Sequence, residues 1–176
     1  RNNELTTFGF IFNTTQEPVS DVRVRRAIAM AVDRQVLIEA VSQGVGAVAY
    51  SPVPPGMPGY DAQAGREYAF DPAKARSALA EAGFGDPGSF PKLTITFSDN
   101  TSIRVRAEFF QAQMKQNLGV EVVLEALESR AYQQRNNARQ FQMAFGGCGA
   151  DYPDPDNIVP EVFGSKSGNN RTGYAS

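Results

Sequence analysis

Apolar positions along the chain switch between a period of two and a period near 3.6, and this switching predicts the order of elements. Leu5 to Phe12 reads as a strand, with Phe8, Phe10 and Phe12 alternating onto one face. Pro18 and Ser20 break it. Ser20 or Asp21 can cap a helix running to about Val32, in which Val24, Ile28 and Ala31 share a face. Asp33 caps a second short helix, with Val36, Leu37, Ala40 and Val41 apolar and Gly44 as its stop. Asp71-Pro72 opens the next helix, because proline at the first helical position loses an N–H that has no partner there anyway. Ala75, Leu79 and Ala82 form its buried side, and Gly83 ends it.

The chain then alternates. Leu93 to Phe97 is a strand. Ser102 to Leu118 is a helix with Ile103, Ala107, Phe110, Met114 and Leu118 on one stripe, stopped by Gly119. Val120 to Leu127 is a strand, Ser129 to Ala138 a helix, and Phe141 to Gly147 a strand; Asp154 or Asp156 starts a last helix reaching about Phe163. Strand, helix, strand, helix, strand implies parallel pairing with right-handed crossovers and helices on the sheet faces. The predicted class is α/β, an open, mostly parallel sheet flanked by helices. Residues 1–176 form a single domain of two or three layers, interrupted by a Gly/Pro-rich ordered loop over 44–70. Tyr50, Met57 and Tyr60 give that loop apolar anchors that a bare linker lacks.

Composition narrows the chemistry more than the fold. At 41% hydrophobic and 20% charged residues the chain is globular, and a net charge of −2 leaves no electrostatic footprint for nucleic acid or anionic lipid. No apolar run is long enough for a transmembrane helix, so no direct membrane insertion is expected. Histidine is absent, which removes the commonest general base and metal ligand and excludes a Ser-His or Cys-His hydrolase within this chain. A lone cysteine, Cys148, forms no internal disulfide and reads as a buried, inert thiol. Arg23, Arg25 and Arg26 suggest a phosphate site or, more plainly, a solvated helix face with ion pairs. The chain begins at Arg1-Asn2-Asn3, a few residues ahead of a strand, and reads as a piece of a longer protein.

Open α/β sheets bind ligands beyond the carboxyl ends of their strands. The strand ending at Gly147 leads into Gly147-Cys148-Gly149-Ala150-Asp151-Tyr152-Pro153-Asp154-Pro155-Asp156. The glycines allow backbone to approach a ligand closely. The three aspartates admit three readings: a cation site, though the spacing of a calcium loop is missing; helix capping by Asp154 or Asp156; or recognition of a ligand ammonium by Asp151.

Several motifs together resemble one family, the peptide/nickel class of extracellular solute-binding proteins (family 5) that feed ABC importers. They are Phe12-Asn13-Thr14, then Pro18, Asp21, Arg23, Val24, Arg25 and Ala27, then Ala31, Asp33 and Arg34; the loop residues Ser51, Pro54, Pro55 and Gly56; Asp71, Pro72, Ala75, Leu79, Ala82 and Gly83; Gly147, Asp151, Tyr152 and Pro155; and Asn170 with Tyr174. The resemblance runs from about Leu5 to Tyr174 and departs at Cys148, where the family pattern has tryptophan, and at Ala78, where it has leucine.

The resemblance to this family implies a fold, a function and a site. It makes the chain the second large, C-terminal lobe of a bilobal, periplasmic binding protein-like (class II) fold, whose N-terminal lobe supplies the other half of the cleft. It implies capture of peptides or similar small solutes and their delivery to a membrane permease, with no covalent chemistry and no cofactor. The setting it implies is periplasmic or extracellular, with the protein lipid-anchored or soluble. By the same resemblance Asp151 pairs with a peptide α-amine, and the preceding backbone adds strand-like hydrogen bonds. The candidate ligand-binding residues are Gly147, Cys148, Gly149, Ala150, Asp151 and Tyr152, with Asn13 from the FNT turn; Cys148 in place of tryptophan implies a differently shaped pocket. Ser51, Pro54, Pro55 and Gly56 are expected either on the pocket or over the core edge. The alternative is a ligand-sensing domain of a transcriptional regulator. An enzyme ranks lower, because the chain shows no nucleophile–base pair, phosphate loop or metal cluster.

Overall fold

The structure, a computed structural model, describes residues 5–86 and 88–175. The first strand, β1, is Thr6–Phe12, and the helices α1 and α2 are Val22–Met30 and Arg34–Val36; α2 continues as a π-helical turn over Leu37–Val41. Then come α3 (Pro72–Glu81), β2 (Leu93–Ser98), α4 (Thr101–Leu118), β3 (Val122–Leu127), α5 (Ser129–Asn137), β4 (Met143–Gly149) and α6 (Val159–Phe163). Short polar side chains start most of these helices. Asp21, Asp33, Asp71, Asn100 and Glu128 each accept backbone N–H bonds from the first turn. Gly119 ends α4 in the left-handed region at φ 70°, which a side chain would oppose. No helix among the described residues is long and apolar enough to cross a membrane.

The four strands lie in the order β1-β4-β2-β3. β2 runs parallel to β3 and to β4. β1 runs antiparallel to β4, from Thr6 opposite Gly149 to Phe12 opposite Met143. The chain passes from β2 through α4 to β3 in one direction along the sheet, and through α5 back past β2 to β4. The two helices therefore fall on opposite faces.

The faces differ in chemistry. On the α4 side, Leu93, Ile95 and Phe97 of β2 are fully buried against Phe110 and Met114 of α4, Val24 and Ile28 of α1, and Leu79 of α3. Each large apolar side chain removed from water there contributes about 1.5–3 kcal/mol. On the α5 side, Thr96 donates to Glu125 Oε2 at 2.9 Å, and Arg135 pairs with the same carboxylate at 2.7 Å. α5 itself buries no residue. The arginines of α1 hold the fold locally. Arg23 pairs with Asp21 at 2.6 Å, Arg25 donates to the carbonyls of Val19 and Ser20, and Arg26 lies over the Tyr68 ring. The segment between α2 and α3 is anchored by buried Met57 and by Tyr50, whose ring lies beneath the guanidinium groups of both Arg34 and Arg66.

Asn13 is placed differently from the ligand-binding role expected of it. It is fully buried where β1 ends. Its Nδ2 donates to the carbonyls of Arg139 at 2.8 Å and Phe141 at 3.0 Å, and its Oδ1 accepts from the Thr15 N–H and hydroxyl. No bonding capacity remains for a ligand. The neighbouring Thr14 bonds Thr172 through both its N–H and its hydroxyl, so the FNT turn and the Asn170–Tyr174 tail interlock. Asn13 stands opposite Gln142 in the register that puts Thr6 opposite Gly149. At about 3.4 Å per residue, it is therefore about 24 Å from the carboxyl end of β4. Asn13→Ala is expected to cost about 3 kcal/mol in urea unfolding, because several buried polar groups lose their partner together. A loss below about 0.5 kcal/mol, the range of a neutral surface change, contradicts this role.

Candidate functional site

The β1–β4 register decides which backbone groups of β4 are available. In an antiparallel pair, alternate residues turn both N–H and C=O toward the partner strand. Ala150 donates to the Leu5 carbonyl at 2.9 Å and Asn13 donates to the Gln142 carbonyl at 2.9 Å, so even-numbered residues of β4 face β1. Odd-numbered residues face the opposite edge. Met143 is paired with β2 there, and the carbonyl of Phe145 accepts the Tyr132 hydroxyl. Beyond Thr96 opposite Ala144 no further β2–β4 pairing is found among the described residues. Gly147 and Gly149 thus present N–H and C=O groups on an open edge at the carboxyl end of β4.

Gly147 has no room for a side chain, and Gly149 has little. A Cβ on Gly147 would sit 2.5 Å from Cδ1 of Phe8, and one on Gly149 would lie 3.3 Å from Thr6 Oγ1. Phe8 is 67% exposed, yet its ring covers Gly147 and lies parallel to the Phe145 ring at 6.4 Å. The alternating phenylalanines of β1 share one face, as the sequence indicated, but not one environment. Phe10 packs on Phe110 at 4.9 Å, whereas Phe8 walls the site.

The aspartates after β4 divide their work. Asp154 caps a 3₁₀ turn over Pro155–Asn157. The Asp156 carboxylate beside Tyr152 holds its phenol above its ordinary pKa. Asp151 is exposed and in no ion pair among the described residues, and its backbone N–H is fixed by Asn157 Oδ1 at 2.7 Å. Its carboxylate is the one left for a partner from outside. No group of three or more metal-ligating side chains is found among the described residues.

A cavity of about 950 Å³ follows β1 and the end of β4. Gly147, Cys148, Gly149 and Asp151 line it, as does Ser51; Pro54, Pro55 and Gly56 do not, and Pro54 is buried. Ala150 is tied to β1 through its N–H, and Tyr152 turns onto the Asp156 turn instead of the cavity. Cys148 is half-buried with Sγ 4.0 Å from the Thr7 carbonyl, and burial pushes its thiol pKa up. Tyr132 and Asn136 of α5 also line the cavity. Nothing in the polar pattern of α5 distinguished them in the sequence.

The family described as bacterial extracellular solute-binding proteins, family 5 Middle, matches residues 1–170. The chain belongs to this family. It is 29% identical to the oligopeptide-binding protein OppA of Bacillus subtilis, over 95% of this chain and 32% of that protein. It is 33% identical to heme-binding protein A of Haemophilus influenzae, over 89% of this chain and 28% of that protein. Its fold is similar to the periplasmic binding protein DppA of Helicobacter pylori in complex with the peptide STSA. The TM-score is 0.87 at 28% identity, covering 98% of this chain and 34% of that one. The chain therefore spans about a third of the length of these family 5 relatives.

Two outcomes test this geometry. Gly147→Ala is expected to cost about 1–2 kcal/mol by forcing the Phe8 ring aside. The added change Phe8→Ala should recover part of that loss, and strict additivity in chemical unfolding would contradict the contact. Cys148 should react with iodoacetamide at pH 8 about tenfold more slowly than free cysteine, because less of it is thiolate. Equal rates would show an accessible, unshifted thiol.

Proposed function

We propose that this chain is the second large lobe of the substrate-binding component of an ABC importer. That component captures peptides or similar small solutes in a cleft between two lobes and hands them to a membrane permease. One observation carries the reading: two glycines with open backbone edges stand beside a free carboxylate. An extended peptide laid along Gly147 and Gly149 gains main-chain hydrogen bonds regardless of its side chains. Asp151, two residues further on, offers a charge-assisted bond to the ammonium at the peptide's end. The combination recognises what peptides share.

Peptide-binding names among the relatives support this reading, and the family consists of binding proteins, in keeping with a site that performs no covalent step. The same relatives support a periplasmic or extracellular setting. The N-terminal lobe of the same polypeptide supplies the opposite wall, and ligand contacts from both lobes favour a closed state that the permease recognises. The transcriptional-regulator alternative draws no support from the matched family or these relatives.

The test is calorimetric titration of the full-length protein with free-amine and N-acetylated tripeptides. Asp151→Ala should weaken free-amine peptides about 10- to 100-fold and leave acetylated ones, already weak, little changed. Equal affinity of the unmodified protein for both peptide forms would remove Asp151 from this role.

A further inference from the structure

The open edge of β4 is closed at one end by a side chain. Among the described residues β2 pairs with β4 only as far as Thr96 opposite Ala144, and Phe97 and Ser98 then pair with β3 alone. A continued β2 would give the Phe145 carbonyl its next backbone donor. The Tyr132 hydroxyl supplies that donor instead. Next along the same edge, the N–H and C=O groups of Gly147 and Gly149 have no backbone partner among the described residues.

Tyr132 is fixed by bonds on both sides of it along α5. Its N–H donates to the carbonyl of the capping Glu128 at 2.9 Å. The hydroxyl of Ser129 lies 2.9 Å from that of Ser98 at the end of β2, and Arg135 pairs with Glu125 of β3 at 2.7 Å. The phenol is half-buried, and burial pushes its pKa up, so it stays a neutral donor. Its ring lines the same cavity as the two glycines. Hydroxyl and ring together occupy the edge at Phe145.

We infer that Tyr132 ends the ladder at Gly147, so that this lobe holds the main chain of only the first three residues of a peptide. The inference rests on the peptide-capture reading above. A peptide whose ammonium meets Asp151 and whose chain follows Gly149 and then Gly147 runs antiparallel to β4. Bonded pairs then recur at every second residue. The first ligand residue exchanges main-chain bonds with Gly149 and the third with Gly147. The fifth would meet Phe145, whose carbonyl is taken. The second and fourth turn their N–H and C=O groups away from β4. Residues beyond the third therefore gain no main-chain bond from this edge.

The experiment is calorimetric titration of the full-length protein with trialanine, pentaalanine and two pentaalanine analogues. In these the N–H of the third or of the fifth residue is replaced by an ester oxygen. The ester at the third residue should weaken binding about threefold to tenfold, and the ester at the fifth should change it less than about twofold. Tyr132→Ala uncovers the Phe145 carbonyl and should make the ester at the fifth residue cost at least about threefold. Tyr132→Phe keeps the ring and loses the hydroxyl; it should act in the same direction and decides the matter if Tyr132→Ala does not fold. Pentaalanine that binds only after the Tyr132 change also supports the inference. An ester at the fifth residue that costs as much as one at the third in the unmodified protein overturns it. So does an ester at the third residue without cost, or a fifth-residue effect that the variants leave unchanged. Pentaalanine rejected before and after the change, while trialanine binds, overturns it as well. Each of these leaves peptide capture standing, whereas no binding of any peptide overturns both.

Discussion

The buried amide of Asn13 fixes the register on which the site depends. Its four bonds tie the end of β1 to the Arg139–Phe141 turn that feeds β4 and to Thr15 of its own turn. The Asn170–Tyr174 tail closes over the same corner, where a Cβ on Gly173 would sit 2.7 Å from the Thr15 methyl. With that corner set, β1 and β4 can pair in one register only. A slip of one residue would turn each strand's side chains to the wrong face. It would also exchange which backbone groups of β4 face the open edge. A polar cluster at one end of the sheet thus determines the geometry of the glycines at the other.

The two sheet faces perform different tasks, and their chemistry reflects it. The α4 face carries the continuous apolar core, built from Leu93, Ile95 and Phe97 against three helices. The α5 face is covered thinly, by a helix with no buried residue. It relies on the Thr96–Glu125–Arg135 network in place of apolar depth.

Sequence proximity concealed how the acidic residues are used. Asp151, Asp154 and Asp156 lie within six residues, a spacing that invites a shared ion. Folding separates them: one caps a turn, one holds a phenol and one faces the cavity. Capping takes the residue whose backbone is extended just ahead of a helical turn, as at Asp154 with φ −135° and ψ 134°.

The chain's own pattern determined the elements and the class. Period-two and period-3.6 runs, capping aspartates and stop glycines act within a few residues, so β2–α4–β3–α5–β4 and its parallel pairing were legible in that pattern alone. The motif Gly147–Tyr152 was legible too, as the segment beyond a strand's carboxyl end. Only the tertiary structure decided that β1 pairs antiparallel with β4, that Phe8 leaves the core to cover Gly147, and that Asn13 is a buried tie instead of a ligand contact. It alone set Gly9 opposite Gly146. These are contacts between residues far apart in the chain, and local periodicity carries no information about register. The strand alternation says which residues share a face; only pairing says what that face meets.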